Sequence, residues 1–552
     1  MLLRFRHSLW LAGTLAACAG TVLAQTPAPV DLILHNGHVF TANEQFWVAQ
    51  ALAVREGRIV AVGGPELLKQ YTAKQTIDLK GQTALPGFID AHIHIRGQAR
   101  HYVDLTEVKS IQEIRTLVTA KAKELGKGQW ISGYGWSEDA VEEKRKPNRR
   151  DLDQAAPENP VVLTRAGGHS SVGNSLALST AKITRATPDP DRGTIEHDDQ
   201  GEPTGIVRER NDVFTKFLPR ADAAELRASL KKNLQALFAK GITSIVDAGG
   251  SMDLWPEWQK VYAETPDLPR AAMQIRWGLA EDIKRFGKKT GDGDERLRVG
   301  AIKIFVDGGF TGPAAYTIAP YKNQGDYRGK LTMSEAALLN AFRQAHAMGW
   351  QLGLHTIGDG AIELAVNLLH QVLQEAPRAD HRHYLNHFSM TPPEATYARM
   401  AADQIWIAQQ PNFTYTLEGR YADYLDDARA QLNNPVATPI KKGIFVGFSS
   451  DILPIGPMYG LYAAVTRKGM SGKVWGESER ISTADAIARY TRYAAAFTRE
   501  EKTKGTLEVG KLADIVVLPV NPLTVAPEKL LTTPVAMTLV GGKVVYRGSV
   551  AH

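Results

Sequence analysis

Cysteine is almost absent from this sequence. Its 552 residues include one, Cys18, so no disulfide can form within the chain. The apolar run at residues 9–23 is too short for a comfortable membrane span, and the glycines at positions 13 and 20 interrupt it. A chain of this length buries a large core without covalent cross-links. These features exclude a small scaffold that depends on disulfides.

The excess of positive over negative charge is also small. The 65 Lys and Arg residues against 59 Asp and Glu residues give a formal charge of +6, and the longest basic cluster lies within residues 144–150. This net charge and this cluster are too small for a nucleic-acid-binding surface, so we expect no nucleic-acid partner. Hydrophobic residues make up 43% and charged residues 22% of the chain, which excludes disordered and collagen-like proteins.

The N-terminus has the pattern of an export signal. Arg4 and Arg6 precede the apolar run, and VLA at residues 22–24 fits a small-residue cleavage site before Gln25. We predict a signal peptide over residues 1–24 and a periplasmic or secreted mature protein. An alternative is that LAAC at residues 15–18 is a lipobox, which would make Cys18 a lipidated N-terminus.

Both ends of the chain alternate short apolar runs with turn residues. Asn36-Gly37 and Glu56-Gly57 separate such runs near the N-terminus, and Gly541-Gly542 does so near the C-terminus. We therefore predict one small β-sandwich domain built from residues 25–84 and 503–552.

The middle of the chain, residues 85–502, alternates apolar strands with amphipathic helices. This order predicts an α/β fold, a (β/α)8 TIM-like barrel. About 145 residues separate the first two strands, so residues 97–240 are predicted to form an inserted lid or subdomain. The predicted strands cover residues 84–95, 242–248, 271–277, 299–306, 351–355, 383–388, 404–409 and 444–449.

Residues that can bind a metal stand at the predicted carboxyl ends of several strands, where barrel enzymes place their chemistry. Neutral imidazoles and a carboxylate suit Zn²⁺ or a similar divalent ion. The residues are His92 and His94 in the first strand, Lys303 in the fourth, His355 in the fifth, His387 in the sixth and Asp451 after the eighth.

Each of these residues alone has an ordinary structural interpretation. A single histidine at a strand end is commonly a packed or surface residue, and Asp451 could cap a helix. Lys303 is harder to explain in this way, because an unpaired ammonium in an apolar strand costs several kcal/mol. The combination of all six positions favours a metal site.

Several phrases resemble the amidohydrolase superfamily, in particular its YtcJ-like branch, which includes N-substituted formamide deformylases. The resemblance extends over residues 30–548 and is carried by LPGFIDAHIH at 85–94, GGHS at 167–170, GEPTG at 201–205, VDG at 306–308, HTIGD at 355–359 and GTLEVGKLAD at 505–514. It implies that His92, His94, His355, His387 and Asp451 are metal ligands. It also implies that Lys303 is a carboxylated lysine that bridges two metal ions.

Two features concern the sixth strand. The family has Glu just before the sixth-strand histidine, whereas Asn386 stands there in this chain. His381 and His383 lie nearby and are alternative ligands, with His383 on the same strand face as His387. We prefer His387 because it occupies the position of the family ligand.

The resemblance and the residues together predict an enzyme that hydrolyses a carbon–nitrogen bond outside peptides, in an amide, N-formyl or N-acyl compound. One or two divalent ions, Zn²⁺ first among them, lower the pKa of bound water to make an attacking hydroxide. Asp451 is expected to accept the water proton and pass it to the leaving nitrogen.

Three alternatives remain at this point. A deaminase of the same superfamily is disfavoured by Gly358, because ring deaminases typically place Glu at that position. A metal-dependent esterase or lactonase uses the same attacking group. A secreted binding protein without turnover is the alternative outside enzymes, and the loss of a ligand would favour it.

The substrate is expected to be a small molecule with a hydrophobic or aromatic substituent. His169 and Trp136 in the insertion are the predicted substrate contacts. Further aromatic residues that could line an apolar pocket are Trp255, Tyr316, Phe413, Tyr415 and Tyr459. The sequence leaves homodimer formation open.

Overall fold

The computed structural model describes residues 27–168, 170–191, 193–310, 312–452 and 454–549. The predicted signal peptide at residues 1–24, with Cys18, lies outside these ranges, as does His169. Within the described part of the chain, none of the helices combines the length and apolar character that crossing a membrane requires.

Eight parallel strands form a barrel in the middle of the chain, and they follow one another around the sheet in chain order. A single parallel bridge between Ile93 and Asp451 nearly closes it. This confirms the predicted TIM-like barrel. The strands are β1 (Phe88–Ile93), β2 (Ile242–Asp247), β3 (Arg270–Arg276), β4 (Leu297–Phe305), β5 (Leu352–Thr356), β6 (Tyr384–His387), β7 (Trp406–Gln409) and β8 (Val446–Phe448).

Helices cover the outer face of the barrel, and the largest apolar cluster of the molecule lies between them and the strands. The helix Asp359–Glu375 buries Ile362, Val366 and Leu369 at helical spacing. The helices that follow the strands are Trp255–Glu264, Ala280–Phe286, Glu335–Ala347, Asp359–Glu375, Glu394–Ala402, Asn412–Thr416, Glu418–Tyr424, Asp427–Gln431, Ala437–Lys441, Pro457–Thr466, Thr483–Arg489 and Arg492–Ala496.

Two further sheets contain strands from the chain ends, and they enclose a core of their own that includes Leu32, Val54 and Val517. The first has the order Arg58–Gly63, Ala51–Arg55, Ala28–His35, Tyr71–Asp78. The second joins both termini in the order Lys543–Arg547, Met537–Val540, Ile515–Leu518, Thr83–Pro86, His38–Phe40, Val48–Ala49. The short helices Leu67–Gln70 and Pro527–Leu530 accompany them.

The predicted strand 84–95 is in fact two strands. Thr83–Pro86 belongs to a terminal sheet, so the expected boundary at residue 84 falls inside it, and β1 starts at Phe88. The chain passes between the two at Gly87, whose N–H donates to the carbonyl of Asp514. A Cβ at Gly87 would lie 2.2 Å from Thr243 Oγ1, so this close passage requires glycine.

The segment between β1 and β2 forms a six-stranded sheet of its own. The order is Thr194–His197, Pro203–Arg208, Ser170–Gly173, Val161–Arg165, Ile131–Trp136, Tyr102–Asp104. Its helices are Ile111–Leu125, Arg149–Ala155, Ser175–Thr180 and Asp212–Thr215, and Ala223–Ala236 with a 3₁₀ turn at Leu237–Lys240 leads to β2. Arg420 of the barrel pairs with Glu138 at 3.1 Å and with Asp139 at 2.7 Å, which ties this sheet to the barrel.

Candidate metal centre

Four histidines meet at the carboxyl-terminal end of the barrel. The ring of His92 lies 5.3 Å from that of His94 and 4.7 Å from that of His387, measured between centroids. The ring of His355 lies 4.4 Å from that of His387. His92 and His94 lie at the end of β1 and just after it, His355 lies in β5 and His387 in β6, so tertiary structure brings together positions that are distant in sequence.

Asp451 and Lys303 complete the cluster. Asp451 Oδ1 lies 3.4 Å from His94 Nε2, and Asp451 Oδ2 lies 3.8 Å from His387 Nδ1. Lys303 Nζ lies 3.5 Å from His92 Nε2. The structure therefore places all six predicted ligands in one group, and one ligand atom each of His92, His387 and Asp451 fits within 4.8 Å of the others.

Two amide side chains orient two of the histidines. His92 Nδ1–H donates to Asn386 Oδ1 at 2.6 Å, and His387 Nδ1–H donates to Gln410 Oε1 at 2.9 Å. Gln410 uses its own N–H groups on Ser449 Oγ and a backbone carbonyl, which turns its oxygen toward His387. Each histidine therefore keeps the lone pair on Nε2, the atom that a metal needs.

The donor atoms of the cluster are of the kind that bind a metal cation. His387 Nε2 and His94 Nδ1 are buried and make no hydrogen bond within the described residues. Buried polar atoms are ordinarily paired, so the lone pair of His387 Nε2 suits a metal ion. His94 Nδ1 instead lies beside Gly249 and Arg96, and Nε2 is the atom that His94 turns toward Asp451. Nitrogen lone pairs beside the carboxylate of Asp451 are the donor set that Zn²⁺ and related ions prefer.

The backbone is left-handed at two of the predicted ligands, with φ of 78° at His387 and 59° at Asp451. In β6, Tyr384 packs inside the barrel and Leu385 packs outside it. Regular alternation would then turn His387 away from the axis. The positive φ ends the alternation, so Asn386 and His387 both reach the site. Non-glycine residues adopt this conformation at a cost, and such residues concentrate at functional sites.

The charges of Lys303 and Asp451 depend on each other. Lys303 is 1% exposed, and this burial lowers the pKa of its ammonium against the opposing influence of Asp451. Burial also raises the pKa of the Asp451 carboxyl, and the charge of Lys303 opposes that shift. Burial brings the two pKa values closer together, and a lysine in this environment loses its proton readily.

Two further buried carboxylates hold the backbone around the cluster. Asp307 accepts the N–H groups of Ile357 at 3.0 Å and Gly358 at 2.8 Å, and burial raises its pKa to about 7. Asp90 accepts the N–H of Ser450 at 3.0 Å. They fix the backbone just after His355 and just before Asp451. Of the residues that support the ligands, Gln410 was not predicted from sequence, although its position just after β7 was an available signal.

A cavity of about 700 Å³ opens onto this cluster. His94, His355, His387 and Asp451 lie in its wall, together with aromatic residues of both the barrel and the insertion. Phe413, one of the aromatic residues predicted to line an apolar pocket, stacks on His387 with 6.1 Å between ring centroids. The aromatic residues of the wall are Tyr102, Tyr134, Phe305, Phe310 and Phe413.

The predicted substrate contact at Trp136 is wrong. Trp136 is 0% exposed, packs in the core of the inserted sheet and donates from Nε1 to the carbonyl of Leu163 at 3.0 Å. The strand register shifts between Tyr134 and Trp136, and Gly135 between them has a φ of 116°. This bulge turns Trp136 away and leaves Tyr134 in the cavity wall. The other predicted contact, His169, lies outside the described residues.

The alternative ligands His381 and His383 do not join the cluster. They precede β6 at the opposite end of the strand. His383 Nδ1 accepts the N–H of Leu352 at 3.0 Å, and its Nε2–H donates to His346 Nδ1 at 2.8 Å. His346 in turn donates to the carbonyl of Ala376. Every ring nitrogen of His346 and His383 therefore takes part in a hydrogen bond, which favours a structural role for His383.

A cluster of metal-ligating side chains at the carboxyl end of a parallel barrel is the arrangement of a barrel enzyme. The chain belongs to the amidohydrolase family, whose model matches residues 75–546. It is a hydrolase that acts on carbon–nitrogen bonds, as the sequence predicted.

Two relatives are similar to this chain along nearly their whole length. The chain is 29% identical over 537 residues to the putative amidohydrolase YtcJ of Bacillus subtilis, which covers 94% of this chain and 99% of the relative. It is 27% identical over 543 residues to N-substituted formamide deformylase of Arthrobacter pascens, which covers 94% and 98%. An uncharacterized metal-dependent hydrolase from Pyrococcus horikoshii shares the fold, with a TM-score of 0.70, 23% identity and coverage of 90% and 99%.

We expect Asn386→Ala to weaken divalent-metal binding by about 10-fold to 100-fold, because His92 loses the acceptor that orients it. The measurement is competition for Zn²⁺ against a chromophoric chelator. Asn340→Ala, at an exposed position on the helix Glu335–Ala347, is the matched control and should bind like the wild type. Wild-type affinity in the Asn386 variant would remove its orienting role.

The stability of the protein should fall as the pH drops below about 6.5. Burial lowers the pKa of His383 well below its ordinary value of 6.5, so the folded chain binds fewer protons there than the unfolded chain. The stabilisation is complete above pH 6.5 and is lost toward lower pH, by up to about 1.4 kcal/mol per pH unit for such a histidine. The free energy of unfolding, measured between pH 7.5 and pH 5, checks this.

The variant His383→Gln should show a smaller pH dependence of unfolding than the wild type. His197→Gln, at an exposed position of the inserted sheet, should keep the wild-type dependence. An unchanged slope in the His383 variant would contradict the assignment of this effect to His383.

Proposed function

We propose that this protein hydrolyses the carbon–nitrogen bond of a small amide, N-formyl or N-acyl compound with the help of one or two divalent ions, Zn²⁺ first among them. The observation that carries the proposal is that ligand atoms of His92, His387 and Asp451 lie within 4.8 Å of one another, with His387 and Asp451 in the wall of the cavity. The similarity to an N-substituted formamide deformylase supports the substrate class.

The residues that would hold the ions are His92, His94, His355, His387 and Asp451. Lys303 would join them as a carbamate: its neutral amine forms a bond to the carbon of CO₂ and releases one proton to water. The low pKa that burial imposes on Lys303 favours the neutral amine that this step requires. When bound, the ions would supply the Lewis acidity that acidifies a water molecule and polarises the substrate carbonyl.

Side chains of the protein transfer the proton and bind the substrate. Asp451 takes a proton from the attacking water as the new carbon–oxygen bond forms. It then gives that proton to the nitrogen as the carbon–nitrogen bond breaks, so the products are an acid and an amine. Phe413 and Tyr134 line the cavity where the apolar part of the substrate would lie.

The environment of Gly358 supports hydrolysis over deamination. A Cβ at this position would lie 1.9 Å from the carbonyl oxygen of Tyr316, and the Gly358 N–H donates to Asp307. A glutamate that protonates a ring substrate does not fit there without a shift of the backbone.

Metal removal tests the proposal directly. We expect dialysis against a chelator to abolish turnover of anilides and N-formyl amines, and Zn²⁺ to restore it. The metal content of each preparation is measured alongside the rate. A preference for aryl esters by orders of magnitude would contradict the amide assignment.

The variant Asp451→Asn should retain metal and lose turnover by a factor of about 10² to 10⁴, because an amide cannot carry the proton. The measurements are metal content and kcat on the best substrate of the panel. Asp267→Asn, which alters an exposed ion pair with Lys543, serves as the control. A wild-type kcat in the Asp451 variant would exclude Asp451 from proton transfer.

We further propose that the protein is exported by its N-terminal segment and acts in the periplasm or outside the cell. The basic residues, apolar run and cleavage pattern of residues 1–24 support this. N-terminal sequencing of the exported chain should begin at Gln25, whereas a start at a modified Cys18 would favour the lipoprotein alternative.

A further inference from the structure

Two arginines at the mouth of the barrel have no part in the proposed reaction. Arg96 lies two residues beyond His94, and Arg276 ends β3; both line the same cavity as the metal ligands. Both side chains are exposed. Among the residues that the structure describes, no carboxylate oxygen lies within 4.0 Å of either guanidinium. Their charges are thus available to a ligand.

The absence of a side chain at position 249 places Arg96 beside a predicted metal ligand. A Cβ on Gly249 would lie 3.0 Å from His94 Nδ1 and 3.4 Å from both Nε and Nη2 of Arg96. The guanidinium and the imidazole therefore lie next to each other on this glycine. The N–H of Arg276 donates to the carbonyl of the adjacent Gly250 at 3.2 Å, so the two arginines flank one short segment.

An aromatic ring connects Arg276 with the metal centre. The guanidinium carbon of Arg276 lies 5.1 Å from the ring centroid of Phe305, within the range of a cation–π contact. The ring of Phe305 in turn lies 5.0 Å from that of His355. Phe305 therefore contacts both Arg276 and the predicted ligand His355.

The acids of the cavity do not neutralise these arginines. Asp307 and Asp451 are the acidic residues in the described part of the cavity wall. Asp307 is occupied by the backbone N–H groups of Tyr316, Ile357 and Gly358. Asp451 faces the histidines. Asp247 is close enough to Arg96 to interact with it electrostatically, but it accepts the N–H of Ile95 and forms no ion pair. The rim therefore carries two arginines without an ion-pair partner among the described residues, and their charges attract an anion.

We propose that the substrate carries a carboxylate, which Arg96 and Arg276 bind while the acyl–nitrogen bond lies at the metal centre. This deepens the proposed function and rests on it: the substrate class narrows to amides that bear a carboxylate, such as N-acylated amino acids. A planar carboxylate matches the planar guanidinium with two parallel hydrogen bonds. The aromatic wall then receives the apolar part of the same molecule.

The experiment uses a matched pair of probes that the enzyme does not hydrolyse, N-methylsulfonyl-L-phenylalanine and N-methylsulfonyl-2-phenylethylamine. They differ only by the carboxylate, and calorimetry measures their binding to the metal-loaded full-length protein. We expect the acid to bind about tenfold more tightly or better. We expect Arg276→Gln and Arg96→Gln each to reduce this ratio and to leave binding of the neutral probe unchanged.

Arg285→Gln removes an exposed arginine on the helix Ala280–Phe286 and should keep the wild-type ratio. Equal binding of the two probes to the wild type would overturn the inference. So would a ratio that persists when both Arg96 and Arg276 are replaced, because the carboxylate would then bind elsewhere.

Failure of the proposed function is distinguishable from these results. It would appear as a metal-loaded protein that hydrolyses no amide in the substrate panel. A preference for the acidic probe in that same preparation would still support the carboxylate site, because the probes report binding and not turnover.

Discussion

The N–H of Asp451 donates to the carbonyl of His92 at 2.8 Å, and this bond joins the end of the last barrel strand to the end of the first. The neighbouring contact, from Ser450 N–H to Asp90, spans 360 positions of sequence. Together they close the barrel where the chemistry lies. Without this closure, Asp451 would not face His94 and His387, and the donor set would lack its carboxylate.

The cluster combines groups that are costly to bury with neighbours that orient them. Burial lowers the pKa values of His92, His94 and His387, which favours the neutral imidazoles that a metal requires. Asn386 and Gln410 each accept the Nδ1–H of a histidine, and Nε2 of His387 is left with no hydrogen bond within the described residues. An unsatisfied buried lone pair costs about 1–3 kcal/mol. A bound cation would offset that cost, so metal binding and stability are linked.

The sequence reveals much of this organisation because a barrel strand has a recognisable pattern. Each of the eight strands is a short, largely apolar run, and the candidate ligands His92, His355 and His387 stand at or one residue before the carboxyl ends of three of them. A parallel barrel collects all carboxyl ends of its strands at one mouth. The predicted ligands therefore lie together as soon as the order of strands is right.

Local irregularities of the backbone could not be predicted from such strand patterns. A bulge at Gly135 moved Trp136 into a core and left Tyr134 in the cavity wall, and the break at Gly87 divided a single apolar run between two sheets. The left-handed residue His387 let adjacent side chains enter one site. In each case a backbone conformation or a close contact, which depends on distant neighbours, overruled the simple alternation of a strand.

By itself, then, the sequence determined the α/β class, the barrel and the candidate ligands, because periodicity, residue chemistry and family motifs can be read from local segments of the chain. Tertiary structure alone decided which nitrogen of each histidine is available, which aromatic residues border the cavity and which arginines lack a partner. Those properties depend on distances between groups that are remote in the chain. They follow only once the barrel has closed and packed.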